Sequence, residues 1–266
     1  MTTQFSAQDV AKFENETWSR CARNYVDGFG ALVQEAVPAL LGEVAVHAGN
    51  RVLDLGTGPG IVAAMAAERG AEVVGVDFSQ PMIDEARRRH ASITFRTASA
   101  DDLPFDDGEF DVVTGNFMLH HCGRPQAVLE ESHRVLRDGG RIGLTVWAEP
   151  SKLEAFGLFF AAVEEHAGAA ELPHGPLFGV SDFAVFHRML QQAGFGDSSV
   201  TELNMAWRTP SLEPYLTAFR EWANLAVLPA ETREAIETTV RQNAPAYRTN
   251  GLFILPNPAI LMSATK

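Results

Sequence analysis

The chain has 266 residues, of which 46% are hydrophobic and 21% charged, proportions of a soluble globular protein long enough to bury a sizeable core. Its 21 lysines and arginines against 34 acids give a formal net charge of −13. That balance argues against a nucleic-acid partner, which needs a basic face, and no apolar run approaches the length of a membrane span.

Met1 to Asp9 is polar and lacks the basic-then-apolar pattern of a signal peptide, so a cytoplasmic location is expected. The two cysteines, Cys21 and Cys122, have neither metal nor redox spacing. They suit a reducing compartment, and no metal site is expected. Between residues 10 and 48, Phe13, Trp18, Ala22, Tyr25 and Phe29 recur at roughly helical spacing, and Ala31 to Leu41 makes a second apolar face. Two roles stay open for Trp18 and Tyr25: packing on the core, or forming a lid over a ligand.

A strand–helix alternation then begins. Arg51 to Leu55 reads as a strand and Ile61 to Arg69 as a helix ended by Gly70. Glu72 to Asp77 is a second strand, followed by a helix from Gln80 to Arg89 with Ser79 as its cap and Pro81 in its first turn. Ile93 to Thr97 and Phe110 to Asn116 are further strands, separated by an acidic loop. Pro125 to Arg137 is a helix and Arg141 to Trp147 the fifth strand. This alternation predicts an α/β fold with a doubly wound, mostly parallel sheet that binds ligands beyond the carboxyl ends of its strands.

After Trp147 the pattern becomes mainly helical. Ser151 to Gly168 and Ser181 to Ala193 read as helices around a Gly- and Pro-rich loop, Pro173 to Val180. Asp197 to Trp207 is a predicted strand, Leu212 to Ala226 and Ala230 to Asn243 are helical, and Ile260 to Ala264 is the last strand, with Gly251 to Leu255 a candidate to pair before it. No linker separates two domains. A single domain is expected, with residues 1–48 as an N-terminal helical lid, 49–150 as a cofactor-binding core and 151–266 as a C-terminal half whose helical cap spans about 209–250.

The chemistry concentrates at VLDLGTGPG, residues 52–60. Gly56, Gly58 and Gly60 allow positive φ and close approach of a ligand to the backbone, and the following helix aims its free N–H groups at the same place. The dinucleotide fingerprint would need a glycine where Ile61 stands. Asp54, two residues before the first glycine, is a poor neighbour for a pyrophosphate and a good one for an ammonium and a sulfonium. The cradle is therefore expected to take S-adenosylmethionine rather than a nicotinamide dinucleotide.

With VVGVDFSQPMIDEAR (73–87), ASADDLPFDDGEFDVV (98–113) and LHHC…ESHRVLRDGGRIGLT (119–145) downstream, the stretch from Val52 to about Val146 resembles the class I S-adenosylmethionine-dependent methyltransferases. The similarity is greatest to the small-molecule branch (type 11) that includes the ubiquinone/menaquinone C-methyltransferases. It implies a Rossmann-like seven-stranded sheet with a helical insert before the last strand. It also implies that Asp54 orders the methionyl amine, directly or through water, that Gly56, Thr57, Gly58 and Gly60 form the cradle, and that Asp77 accepts both ribose hydroxyls. Phe78 and Met82 would flank the adenine, and Ala100 would offer its N–H to the ring. Ser99 stands where family members often carry an aspartate, a departure that leaves the adenine amino group to Ser99 or Asp101. Asn116 would lie near the methionyl amine.

Methyl transfer needs a base only if the acceptor must lose a proton. His120 and His121, just after the fourth strand, are the candidates. The alternative is that one supports the loop and the other faces solvent. The resemblance puts the acceptor pocket in the cap and lid, with Trp18, Tyr25, Trp147, Phe159, Tyr215 and Phe219 as candidates, within a wider aromatic set that includes Phe156, Phe160, Phe178, Trp207 and Trp222. The expected partner is a small apolar or aromatic metabolite. A non-transfer reaction such as cyclisation or decarboxylation, and a non-catalytic cofactor-binding partner of another enzyme, stay open, as do O-, N- and C-methylation and the oligomeric state.

Overall fold

The computed structural model describes residues 5–168, 173–176 and 179–266. Phe178 and part of the predicted Gly/Pro loop lie outside them. Ahead of the sheet come α1 (Ala7–Cys21), α2 (Ala31–Val33) and α3 (Val37–Glu43). Ser6 starts α1 with a reciprocal cap: its hydroxyl accepts from the N–H of Asp9 at 3.2 Å, and the Asp9 carboxylate accepts from the N–H of Ser6 at 3.0 Å. The predicted helical pair is broken at Gly28, whose φ of −97° and ψ of −112° leave the helical region. A side chain there would bring its Cβ within 2.8 Å of Ala218 Cβ, so the bend is tied to close packing.

β1 (Arg51–Leu55) lies between two parallel neighbours, and all of it except Arg51 is buried, which is why it reads as an unbroken apolar run. The alternation continues through α4 (Ile61–Glu68), β2 (Glu72–Asp77), α5 (Gln80–Arg89), β3 (Thr94–Thr97), β4 (Phe110–Asn116), α6 (Pro125–Val135) and β5 (Leu136–Trp147). Gly60 caps α4 at a φ of 86°, and a Cβ there would lie 2.9 Å from the His90 ring. The helix predicted to run to Arg137 stops at Val135, because Leu136 already pairs with Phe110 of β4.

Beyond β5 come α7 (Glu154–Ala167), α8 (Phe183–Gln192), β6 (Gly196–Leu203), β7 (Ala206–Thr209), α9 (Glu213–Trp222), α10 (Ala230–Asn243), β8 (Arg248–Thr249), β9 (Leu252–Pro256) and β10 (Ala259–Thr265). The large sheet has seven strands in the order β3-β2-β1-β4-β5-β10-β6, with β10 antiparallel to both neighbours. This is the doubly wound, Rossmann-like sheet expected, with its order reversing between β1 and β4.

Two further details differ from expectation. The single strand predicted over Asp197 to Trp207 is two strands in two sheets: β6 pairs with β10, whereas β7 pairs with β9. Buried Ala206, Trp207 and Thr209 belong to the cap, while β6 is mostly exposed. The segment read as a partner for the last strand is β9, which pairs with β7 and β8 in a separate antiparallel sheet. That small sheet packs with α7, α9 and α10 around an aromatic core containing Phe159, Trp207, Tyr215 and Phe219. Tyr215 is fully buried and its hydroxyl donates to the Ala155 carbonyl at 2.7 Å, which gives that buried polar group a partner.

Candidate active site

A cavity of about 1250 Å³, part of it open to solvent, lies at the carboxyl ends of β1, β2, β4 and β5. Four turns build its floor. Gly56 and Gly58 follow β1 with φ values of 58° and 53°. A Cβ on Gly58 would meet nothing within 4 Å, so the loop presents bare backbone to open space. On Gly56 it would meet Met118 Cβ at 2.6 Å. Asp77 closes β2, and its two oxygens accept from the N–H groups of Gly58 and Ser79, each at 2.9 Å. Burial pushes this carboxyl up to about 6, with the Ser79 and Gly58 bonds opposing the shift.

Phe78, Met82, Ser99, Ala100 and Asp101 stand on the same wall. Asp101 accepts from Ser99 Oγ and, at 2.8 Å, from Arg124 Nε, so its carboxylate is already held by neighbours. Asn116 also lines the cavity, but its side chain is engaged: the amide donates to the Val33 carbonyl at 3.1 Å, and its oxygen accepts from Thr145 Oγ1 at 2.6 Å. Phe117, just after β4, has a φ of 55°, an uncommon conformation for a bulky side chain. Its N–H is held by the Thr145 hydroxyl at 3.0 Å, and its ring stacks on Trp147 with 3.9 Å between centroids.

Three residues predicted for the cradle are not on the cavity wall. Asp54 is buried beneath the loop, where it accepts from Thr57 Oγ1 at 2.6 Å and Thr114 Oγ1 at 2.9 Å. Burial pushes its carboxyl up to about 7 despite these hydroxyls. Asp54 and Thr57 therefore brace the turn from behind, because the strand period turns Asp54 away from the ligand space. Gly60 packs against His90 and Phe95 instead of the cavity.

The histidines separate. His121 lines the cavity, while His120 is fully buried and neither of its ring nitrogens has a hydrogen-bond partner among the described residues. Burial, reinforced by the charge of His121, depresses the proton affinity of His120 well below the ordinary value, so it remains neutral. A surface role as base is excluded for His120 by its lack of access.

The upper wall is aromatic: Trp18 and Tyr25 from the N-terminal segment, with Trp147, Phe156, Phe160 and Trp222. Phe159, Tyr215 and Phe219, expected there, point into the cap core. Phe159 and Phe160 are adjacent on α7, so helical geometry turns them to different sides, and composition alone did not say which. Phe29 and Phe117 also line the wall, although neither carried a sequence signal for it. Among the described residues, no lysine or arginine lines the cavity; its ionisable groups are Asp77, Asp101, His121, Tyr25 and Cys122.

Glu14 carried no sequence signal either, since one glutamate in an amphipathic helix reads as a solvated charge. In the structure its side chain is 2% exposed, and its Oε2 lies 3.0 Å from His121 Nδ1.

Residues 53–144, about a third of the chain, match a family model described as a methyltransferase domain. A demethylmenaquinone methyltransferase of Clavibacter sepedonicus is 46% identical over 110 residues, covering 40% of this chain and 45% of that protein. A malonyl-[acyl-carrier protein] O-methyltransferase of Salmonella typhimurium is 34% identical over 134 residues, covering 50% and 53%. The chain thus spans about half the length of the curated relatives it matches. The crystal structure of the YcgJ protein from Bacillus subtilis is similar in fold, with a TM-score of 0.60 at 20% identity over 87% of this chain and 98% of that one.

Proposed function

We propose, from the match of residues 53–144 to the methyltransferase domain model, that the whole protein is an S-adenosylmethionine-dependent methyltransferase acting on a small molecule. The observation that carries the proposal is one shared wall: the open backbone at Gly58, the buried Asp77 carboxylate and His121 all border a single aromatic cavity.

The residues present suit the cofactor. Asp77 keeps lone pairs for ribose hydroxyls after accepting its two backbone bonds. Gly58 leaves room for close approach, and Phe78 and Met82 offer apolar surface for an adenine. When bound, S-adenosylmethionine supplies a methyl carbon already activated by positive sulfur, which keeps the electron pair of the breaking bond. The protein then contributes orientation and exclusion of water. In this reading His121, on the cavity wall, takes a proton from the acceptor, and the aromatic wall holds the acceptor in line.

The cavity lining also favours a class of acceptor. Among the described residues, an anionic group buried there would find no lysine or arginine on the wall to pair with, an expensive arrangement. This supports an uncharged apolar or aromatic metabolite with an ionisable O–H, N–H or activated C–H, and argues against carboxylate or phosphate acceptors.

Calorimetry with S-adenosylmethionine and with NAD, followed by transfer of labelled methyl to an extract of neutral aromatic metabolites, tests the reading. Binding of the first alone, label in an acceptor and release of S-adenosylhomocysteine are expected. Turnover of a substrate without that release would instead mean a non-transfer reaction; binding of NAD alone would overturn the cofactor.

A further inference from the structure

One face of α1 joins two parts of the cavity. Asn15 Nδ2 donates to the Phe78 carbonyl at 2.9 Å, and Ser19 Oγ lies 2.9 Å from Ser79 Oγ, both in the turn after β2. Glu14 reaches the loop after β4. Its Oε2 faces His121 Nδ1 at 3.0 Å, an ion-pair approach that lies off the line of a good hydrogen bond. The same oxygen accepts from Trp18 Nε1 at 3.0 Å, and Oε1 accepts from the N–H of Gly175 at 3.2 Å.

Burial alone would raise the proton affinity of Glu14. The imidazolium form of His121 and the bonds from Gly175 and Trp18 outweigh it and hold the carboxyl below its ordinary range. Glu14 is thus a fixed anion in a site that would otherwise disfavour one. Glycines make the approach possible. A Cβ on Gly123 would lie 2.6 Å from the Ala7 carbonyl oxygen, and one on Gly175 would lie 2.5 Å from that of His120.

We propose that Glu14 is the positioning residue for His121: its carboxylate holds Nδ1 toward α1, leaves Nε2 for the acceptor, and stabilises the imidazolium formed when the ring takes the acceptor's proton. The inference rests on the methyl-transfer reading. The proton leaves the acceptor's O–H, N–H or activated C–H for Nε2 and passes from there to solvent, so no further reactant is required. Because Glu14 sits on the helix that also bonds the turn after β2, the base is complete only with α1 docked on the cofactor side.

The other ionisable groups around His121 do not supply this anion. His120, with ring centroids 4.3 Å apart, is neutral. Cys122 is kept protonated, its thiol pushed up by burial. His174, on the segment packed against the loop, directs Nδ1 to the Gly175 carbonyl at 2.7 Å. Asp77 and Asp101 belong to the cofactor side of the wall and are held by their own donors.

The test uses the full chain and two variants, Glu14→Gln and Glu14→Asp. Histidine ring-nitrogen signals, which report the tautomer, are followed by NMR without acceptor, and turnover is measured with an acceptor identified by methyl transfer. In Glu14→Gln the His121 ring should lose its preference for the Nδ1–H tautomer, and kcat at pH 7 should fall about tenfold or more, less than the ~10²–10⁴ that a general base itself contributes. Affinity for S-adenosylmethionine should stay within about twofold, since a carboxylate-to-amide change of equal shape preserves packing. Glu14→Asp should recover part of the rate. An unchanged His121 tautomer balance in Glu14→Gln, or an unchanged kcat, overturns the proposal. If the unaltered protein binds S-adenosylmethionine but never releases S-adenosylhomocysteine, the methyl-transfer reading fails instead. The ring-nitrogen signals then still decide whether Glu14 controls the ring.

Discussion

Asp77 Oδ2 accepts a 2.9 Å hydrogen bond from the backbone N–H of Gly58, nineteen residues earlier in the chain. This bond fastens the glycine turn after β1 to the end of β2 and puts the carboxylate and the bare backbone on one wall. Asp77→Ala should therefore weaken S-adenosylmethionine binding by about 1–3 kcal/mol, the scale of hydrogen bonds to a charged group. Calorimetry giving the native affinity would remove Asp77 from the cofactor site.

The same residue predicts a pH dependence. Burial pushes the Asp77 carboxyl up to about 6, and ribose hydroxyls stabilise its ionised form as hydrogen-bond donors. Cofactor binding should then release protons below that pH. Affinity should rise with pH up to about 6 and level off above it, the steepest limb approaching tenfold per unit. A flat profile between pH 5 and 7 would show that Asp77 is ionised without the ligand.

Gly58→Val places a branched side chain into the open space of the cradle at a φ of 53°, where a β-branched residue is strained. Loss of cofactor binding by more than about tenfold is expected, with the thermal transition still cooperative. Native affinity in a folded variant would move the ligand elsewhere.

Asp54 governs stability in the opposite sense to an ordinary acid. Its carboxyl is pushed up to about 7 in the folded protein from an ordinary 3.8. The native state binds this proton more tightly than the unfolded chain does, so the contribution is complete below about pH 4 and is lost as pH rises through about 7. Without ligand, the melting temperature should fall over that interval, and Asp54→Asn should flatten the fall. An identical slope in the variant would assign the dependence to other groups.

Phe159 and Phe160 offer a paired comparison. Phe159→Ala empties part of the cap core and should cost about 3–5 kcal/mol of stability by urea denaturation. Phe160→Ala alters the cavity wall and should raise the acceptor KM with cofactor affinity unchanged. Reversed effects would mean that α7 presents its other side to the acceptor.

Local sequence made much of the cofactor side legible. A glycine turn after a buried strand, and an acid at the end of the next, depend on chain-local periodicity and on φ values that glycine adopts cheaply. Asp54 shows where that reasoning stops. Its spacing suggested a ligand contact, yet strand alternation aims it behind the turn, at Thr57 and Thr114. His120 and His121 are neighbours of the same type, and only their packing sends one into the core and the other to the cavity.

The sequence by itself determined the alternating strands and helices and the glycine turn with its acids, because each follows from periodicities and backbone preferences set over a few residues. Tertiary structure decided which aromatics form the wall and which the cap core, and it brought Glu14 to His121 across more than a hundred residues of chain. Those relationships follow from how helices rotate and dock on one another, a long-range packing outcome that no local pattern encodes.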